Sequence, residues 1–337
     1  MSAFPSLQDV VDGVEFSREE SGAFMRSVID HELPDVQVAA YISLLRQRGE
    51  TSEEFIGFLN VLFEKMRRVH FDGDTLIDTC GTGGDGLGTF NISTATAIVV
   101  AAGGVPVAKH GNRSVSSKSG SSDVLEAAGV PIVDDPEGLS RVLEKRGLAF
   151  LFAPYHHPAL KSVAKLRRDL GIRTVFNFLG PQANPAPLTH QYVGVSNMDF
   201  FRKYGEIFER RELPAYVVHG RSGADEALPG GSFHLLKVTT DGQEELVIDP
   251  AEHGVDKFEI SDFAGGTPEA NAKLLWEILD GGGPAGIRQA VALNAGLAFE
   301  LTDRADTIRE GFRKALGILD AGEGAMLLKT YIEEVKK

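Results

Sequence analysis

The chain has 337 residues, 42% of them hydrophobic, and 34 Lys plus Arg against 48 Asp plus Glu, a formal charge of −14. That balance argues against a general nucleic-acid or membrane-surface binder, which needs a basic field, and suits an acidic soluble enzyme of two domains. No apolar run reaches the ~18 residues of a membrane span, and the first residues lack the basic and apolar regions of a signal peptide, so cytoplasm is the expected address.

The single cysteine, Cys80, excludes an intrachain disulfide and a Cys-rich zinc site. From the N-terminus, Ser17-Arg18-Glu19-Glu20 and Thr51-Ser52-Glu53-Glu54 both fit a capping box, in which a hydroxyl and a glutamate satisfy each other's backbone amides at a helix start. Between them Pro34-Asp35 opens and Gly49 closes a helix along which Val36, Ala39, Ala40, Leu44 and Leu45 recur at helical spacing. No strand signal precedes Thr75. Residues 1–72 therefore read as a small all-helical domain, completed by helices within about 160–190, and residues 73–337 as a large α/β domain.

Beyond residue 75, β-prone runs at 75–79, 105–108, 131–133, 148–152, 192–195 and 215–219 alternate with helical stretches at 93–102, 121–128, 136–146 and 199–212. The alternation predicts an α/β fold with a mostly parallel central sheet flanked by helices. Runs at 232–239 and 244–248 around Asp241-Gly242 read as an edge hairpin, and helices follow at 268–280, about 286–299 and 305–337.

Residues 81–190 carry a net charge of +3, whereas 1–72, 73–80 and 191–337 carry −6, −2 and −9. Ten of the 38 glycines fall between Gly81 and Gly129. A glycine-rich, locally basic segment in an acidic chain points to an anion, phosphate first, although a set of tight turns would also use those glycines. The first strand runs into Cys80-Gly81-Thr82-Gly83-Gly84-Asp85-Gly86, placing a glycine-rich loop at the carboxyl end of a strand, where open parallel sheets bind ligands. Ser93 and Thr94 add hydroxyls at the positive end of the next helix.

Gly81, Gly83 and Gly86 also satisfy G-x-G-x-x-G. A dinucleotide site would want an acid after the next strand, which instead ends in Val107-Ala108-Lys109, and Asp85 would repel a bare pyrophosphate. The second loop, 109–120, holds five hydroxyl or amide side chains and three cations in twelve residues, a dense set of donors for an oxyanion. Further on, Lys161, Lys165, Arg167, Arg168 and Arg173 crowd thirteen residues around a helix expected at 158–170. They form either a solvated basic face or a grip for a carboxylate, which a guanidinium holds through two parallel bonds. Asp225-Glu226 is either a solvated loop pair or a set of hard ligands for Mg²⁺ shared with phosphates. For His156-His157 a packed or substrate-lining role outweighs a metal, because adjacent side chains point apart.

GTGGDGLGTFNIST and AKHGNRSVSSKSGSSDVLE resemble the signature loops of the anthranilate phosphoribosyltransferases of tryptophan biosynthesis. The resemblance continues in HHPALKSVAKLRRDLGIRTVFNFLGPQANP (156–185) and VVHGRSGADE (217–226), and more weakly in LNAGLAF near 293. It implies a nucleoside phosphorylase/phosphoribosyltransferase-like architecture, a homodimer joined through the helical domain, and transfer of phosphoribosyl from 5-phosphoribosyl 1-pyrophosphate (PRPP) to the amine of anthranilate. It also implies Mg²⁺ at Asp225, Glu226 and Ser93, and PRPP on Gly81, Gly83, Gly84, Asp85, Thr89, Asn91, Ser93, Thr94, Lys109, Ser119 and Ser121. Anthranilate would lie on Gly81, Asn112, His157 and Arg167, with Asp225, Glu226, Asn112 and Arg167 carrying catalysis. Arg168 and Arg173 are assigned to ion pairs, the Gly180-Pro181 turn passes near the acceptor, and His110 is a candidate proton acceptor.

The chain departs from the family pattern at Gln182-Ala183, Ala224 and Ser122, which leaves another aromatic acid open as acceptor. A nucleoside phosphorylase of related fold and a phosphoribosyl-binding protein without catalysis are the alternatives.

Overall fold

The computed structural model describes residues 3–113 and 119–337, so residues 114–118 of the second loop lie outside the described residues. The chain forms two compact units, Met1–Arg68 with Ala153–Pro185, and Val69–Phe152 with Ala186–Lys337. Among the described residues no helix is long and apolar enough to cross a membrane.

Unit one is helical, with helices at Leu7–Val11, Arg18–Ile29, Asp35–Arg48, Ser52–Lys65, Ala164–Leu170 and Val175–Gln182 among its elements. Both expected capping boxes form at Ser17 and Thr51, each contributing about 0.5–2 kcal/mol through otherwise orphaned amides. Glu54 of the second box is fully buried and also holds the Phe16 N–H at 2.9 Å and the Arg48 guanidinium. Helix Asp35–Arg48 buries Val38, Tyr41, Ile42 and Leu45 and leaves Val36 76% exposed, so of the stripe read from the sequence only Leu45 is fully buried, while Ala39, Ala40 and Leu44 are half-buried. Two registers of the helical period were possible. Tyr41 decides between them by packing against Phe24, Phe4 and Phe16 at ring separations of 5.0, 6.1 and 6.3 Å.

Two local expectations fail in unit one. The helix expected at 158–170 is broken into a 3₁₀ turn, Pro158–Lys161, and the α-helix Ala164–Leu170. Ser162 hydrogen-bonds back to the Ala159 carbonyl at 2.8 Å, a local bond that competes with the helical ladder. Gly180-Pro181 is not a turn, since both residues lie in helix Val175–Gln182. Pro181 has no N–H to give the carbonyl four residues back and its ring crowds that carbonyl, and the helix ends one residue later, at Gln182.

Unit two is built on β1 (Ile77–Gly81), β2 (Val107–Gly111), β3 (Leu148–Phe152), β4 (His190–Gly194), β5 (Ala215–Gly220), β6 (Phe233–Thr239) and β7 (Gly242–Ile248). Their order is β3-β2-β1-β4-β5-β6-β7; the first five are parallel, and β6 and β7 form the expected antiparallel edge hairpin. β1 leads to β2 on one side while β4 later fills the other. Its carboxyl end is thus a topological switch point, where adjacent loops diverge and leave room for a ligand. Helix Ile92–Ala102 packs in the core with helix Ala285–Leu301.

Residues 131–133 form no strand. β3 already pairs the free edge of β2, and Ile132 and Val133 serve packing instead. The tail expected as one helix at 305–337 is two, Ile308–Asp320 and Glu323–Val335, divided at Gly322 with φ 69°.

Candidate active site

The carboxyl ends of β1, β2, β4 and β5 carry the polar residues of unit two. Asp225 follows β5 and sits over glycines at the ends of two other strands. A Cβ at Gly194 would overlap the backbone carbonyl of Asp225, so that position requires glycine, and one at Gly81 would meet the Asp225 carboxylate and push that side chain aside. Asp225 Oδ2 accepts the Gly83 N–H at 2.6 Å, from a backbone with φ 65° that favours glycine. The Glu226 carboxylate accepts the Ser93 N–H at 3.3 Å and the Thr89 hydroxyl at 3.4 Å. It therefore lies at the positive end of helix Ile92–Ala102, where an anion is stabilised.

Lys109, 3% exposed, donates to the Thr79 carbonyl at 2.5 Å and to Ser93 Oγ at 3.4 Å. Burial lowers its pKa, and Asp78, Cys80, Glu226 and Asp225 oppose that shift. Burial, then Asp225 and Asp85, push the Glu226 carboxyl well above the usual carboxylate range. Asp85 Oδ1 accepts the Leu87 N–H at 3.1 Å, while its Oδ2 is buried with no partner among the described residues.

This crowding of carboxylates suits a hard divalent cation, whose charge offsets both repulsion and desolvation. Asp225, Glu226 and Ser93 Oγ supply hard oxygen donors. Among the described residues no three His, Cys, Asp or Glu side chains converge on one metal position, so such an ion would take further oxygens from phosphate or water.

Asn91 ties the first loop to the second: Nδ2 donates to the Ser119 carbonyl at 3.2 Å and Oδ1 accepts from Asn271 at 2.9 Å. The Ser121 hydroxyl and the Ser122 N–H both donate to the Asn112 carbonyl, at 3.3 and 3.2 Å. Arg113 pairs with Asp123 and Glu126 and stacks over Phe152, so this cation is spent on the fold. Gly84 is exposed with φ 74°, and Thr94 is buried with its hydroxyl unpartnered among the described residues. Ser114, Ser116, Ser117 and Lys118 lie outside the described residues.

Unit one carries the remaining expected site residues. His157 is buried, Nε2 meets the Ala183 carbonyl at 2.7 Å, and burial lowers its pKa to about 4, so the ring is neutral at pH 7. The half-buried Arg167 guanidinium lies 5.8 Å from the Phe176 ring centroid. Such stacking leaves the planar donor edge of a guanidinium open to a carboxylate. Arg168, given to an ion pair on the sequence, makes none with the described residues, because the neighbouring Asp169 pairs with Lys165. Arg173 lies over Phe178 at 4.9 Å.

The structure thus brings Gly81, Gly83, Thr89, Ser93, Lys109, Asp225 and Glu226 together in unit two, while His157 and Arg167 belong to unit one. Sequence reasoning missed Asp78, Asn271 and Asn294, all buried and polar. Asn294 had a visible signal, a lone amide in the apolar run AVALNAGLAF.

The models of the glycosyl transferase family match this chain, the helical bundle domain over residues 5–66 and the a/b domain over residues 73–325. The anthranilate phosphoribosyltransferase of Syntrophomonas wolfei is 42% identical over 97% of this chain and 96% of its own. The crystal structure of anthranilate phosphoribosyltransferase from Thermus thermophilus superposes with a TM-score of 0.92 at 37% identity, covering 100% of both chains. The Saccharomyces cerevisiae enzyme in complex with PRPP and Mg shares the fold, with a TM-score of 0.86 at 24% identity, covering 98% of this chain and 93% of its own.

Proposed function

The chain belongs to the anthranilate phosphoribosyltransferase family, and on that premise we propose that it transfers the phosphoribosyl group of PRPP to the amine of anthranilate, giving N-(5-phosphoribosyl)anthranilate and pyrophosphate. The observation that carries this reading is the cluster in unit two, where loop amides, Ser93, buried Lys109 and the Asp225-Glu226 pair meet at the carboxyl ends of the strands. Departure of pyrophosphate builds positive charge on the ribose and negative charge on the leaving group, as in other oxocarbenium-like substitutions. Preorganised donors aimed at the leaving group are the main demand on the protein.

Lys109 and the amides of the glycine-rich loop, with Gly81, Gly83 and Gly84, hold phosphate oxygens. Thr89, Asn91, Ser93, Thr94, Ser119 and Ser121 extend that set, and Asp85 stands beside it. Asp225, Glu226 and Ser93 would hold Mg²⁺, which when bound neutralises charge on the pyrophosphate. For the acceptor, the guanidinium of Arg167 grips the carboxylate of anthranilate, and Asn112, His157 and Gly81 are further acceptor residues. An aromatic amine attacking so electrophilic a carbon needs no strong base.

The test follows anthranilate fluorescence with PRPP, with and without Mg²⁺. Loss of signal that requires both supports the transferase. Tight PRPP binding without loss, or phosphorolysis of a pyrimidine nucleoside, overturns it.

A further inference from the structure

Asn294 stands within the apolar helix Ala285–Leu301, is 1% exposed, and has no part in the chemistry above. Its amide is committed chiefly to one residue, Ala227, which directly follows Glu226. Nδ2 donates to the Ala227 carbonyl at 2.8 Å and Oδ1 accepts the Ala227 N–H at 3.1 Å. Nδ2 also donates to the Ala290 carbonyl at 2.7 Å, and Oδ1 accepts the Tyr192 hydroxyl at 2.6 Å. A side-chain amide offers two donors and two acceptor positions, so every one is used and its orientation is fixed.

The contact on Ala227 is two-sided, as between paired backbone segments, and it anchors the turn bearing Asp225-Glu226 to a core helix. Tyr192 lies on β4, two residues before the Gly194 that Asp225 covers. The pair needs such an anchor. Both carboxyl groups are buried next to each other, so a loose loop would turn them outward to water.

We propose that Asn294, oriented by Tyr192, is a positioning residue that sets the Asp225-Glu226 pair for a divalent cation. The inference rests on the metal role given to that pair. Removing the amide leaves the Ala227 N–H and carbonyl without partners in a buried setting, and a shift of the turn is the way to relieve that.

The test uses the full chain and reads Mn²⁺ binding in the presence of inorganic pyrophosphate, by the paramagnetic resonance signal of free Mn²⁺. Asn294→Ala is expected to weaken Mn²⁺ binding about tenfold or more, as losses behind metal ligands do. Tyr192→Phe keeps the clamp and loses one hydrogen bond, for an expected weakening of about threefold to tenfold. Leu297→Ala, a fully buried position of the same helix, is expected to lower the thermal midpoint without changing Mn²⁺ affinity.

Unchanged affinity in Asn294→Ala, or equal weakening in Leu297→Ala, overturns the inference. If Asn294→Ala does not fold, unchanged affinity in Tyr192→Phe overturns it instead. Absence of Mn²⁺ binding in the wild type overturns the metal reading itself, whereas wild-type binding matched by the variants overturns the positioning role alone.

Discussion

Gly194→Ala adds one methyl group at the end of β4, and the structure sets a large effect for it. The new Cβ would overlap the carbonyl carbon and oxygen of Asp225, and these are backbone atoms that cannot rotate away. The Asp225 backbone must move by about 1 Å or more, which breaks its 2.6 Å hydrogen bond from Gly83 and shifts the Asp225-Glu226 pair from Ser93. A displacement of that size in a reacting constellation costs about a hundredfold in rate, or about 2.7 kcal/mol of transition-state stabilisation. Overpacking costs a further ~1–3 kcal/mol in stability.

The assay is the initial rate of anthranilate fluorescence loss at varied PRPP, beside a denaturant midpoint. Gly317→Ala is the control. That glycine is exposed in helix Ile308–Asp320 and its added Cβ meets nothing within 4 Å. The same substitution there should leave the rate intact and add roughly 0.5–1 kcal/mol of stability. A Gly194→Ala variant with kcat/KM within about threefold of wild type would refute the idea that Asp225 is held at this spacing for catalysis.

Arg167→Ala should raise KM for anthranilate roughly ten- to a hundredfold while kcat changes less, the cost of a lost charge-assisted contact; an unchanged KM removes Arg167 from acceptor binding. Replacing Asp225 by Asn and Glu226 by Gln should lower turnover at least about a hundredfold and raise the Mg²⁺ concentration needed, and wild-type rates at low Mg²⁺ would contradict the metal assignment. His157 has its pKa lowered to about 4 by burial, so the unfolded chain binds the extra proton first. Its contribution, on the order of 3 kcal/mol, is present above pH ~6.5 and is lost as the pH falls toward 4. Comparison of denaturant midpoints across that window should give a shallower loss for His157→Gln, and parallel curves would show that this ring does not drive it.

The α/β class was legible because strand-helix alternation is local, and the runs that became β1 to β5 lie within a few residues of where hydrophobic pattern put them. Pattern failed where a neighbour elsewhere in the chain decided the outcome. The apolar run at 131–133 is used for packing instead, Ile132 and Val133 lying against the core beside β2 and β3, a role its length and composition do not distinguish from a strand. The stripe on Asp35–Arg48 was set by three aromatic rings rather than by period. In the site, the glycine-rich loop was visible as composition, but the spatial requirement at Gly194 was not, because it depends on a backbone more than thirty residues away. Arg113, one of the three cations counted in the second loop as possible oxyanion donors, is held by Asp123 and Glu126, carboxylates whose reach depends on the turn that opens helix Ser121–Ala127.

Cys80, the one cysteine of the chain, lies at the penultimate position of β1, 6% exposed and hydrogen-bonded by Gln191 at 3.4 Å. Burial first, and then Asp78, push its thiol pKa well above the usual value, so the native thiol is a poor nucleophile. A chromogenic disulfide reagent can therefore reach it only when the strand beneath the glycine-rich loop opens. Any molecule that binds the closed form slows that reaction by a factor of one plus its concentration over Kd. The protein accordingly carries its own unlabelled titration signal for occupancy of the loop, one that reads binding without turnover.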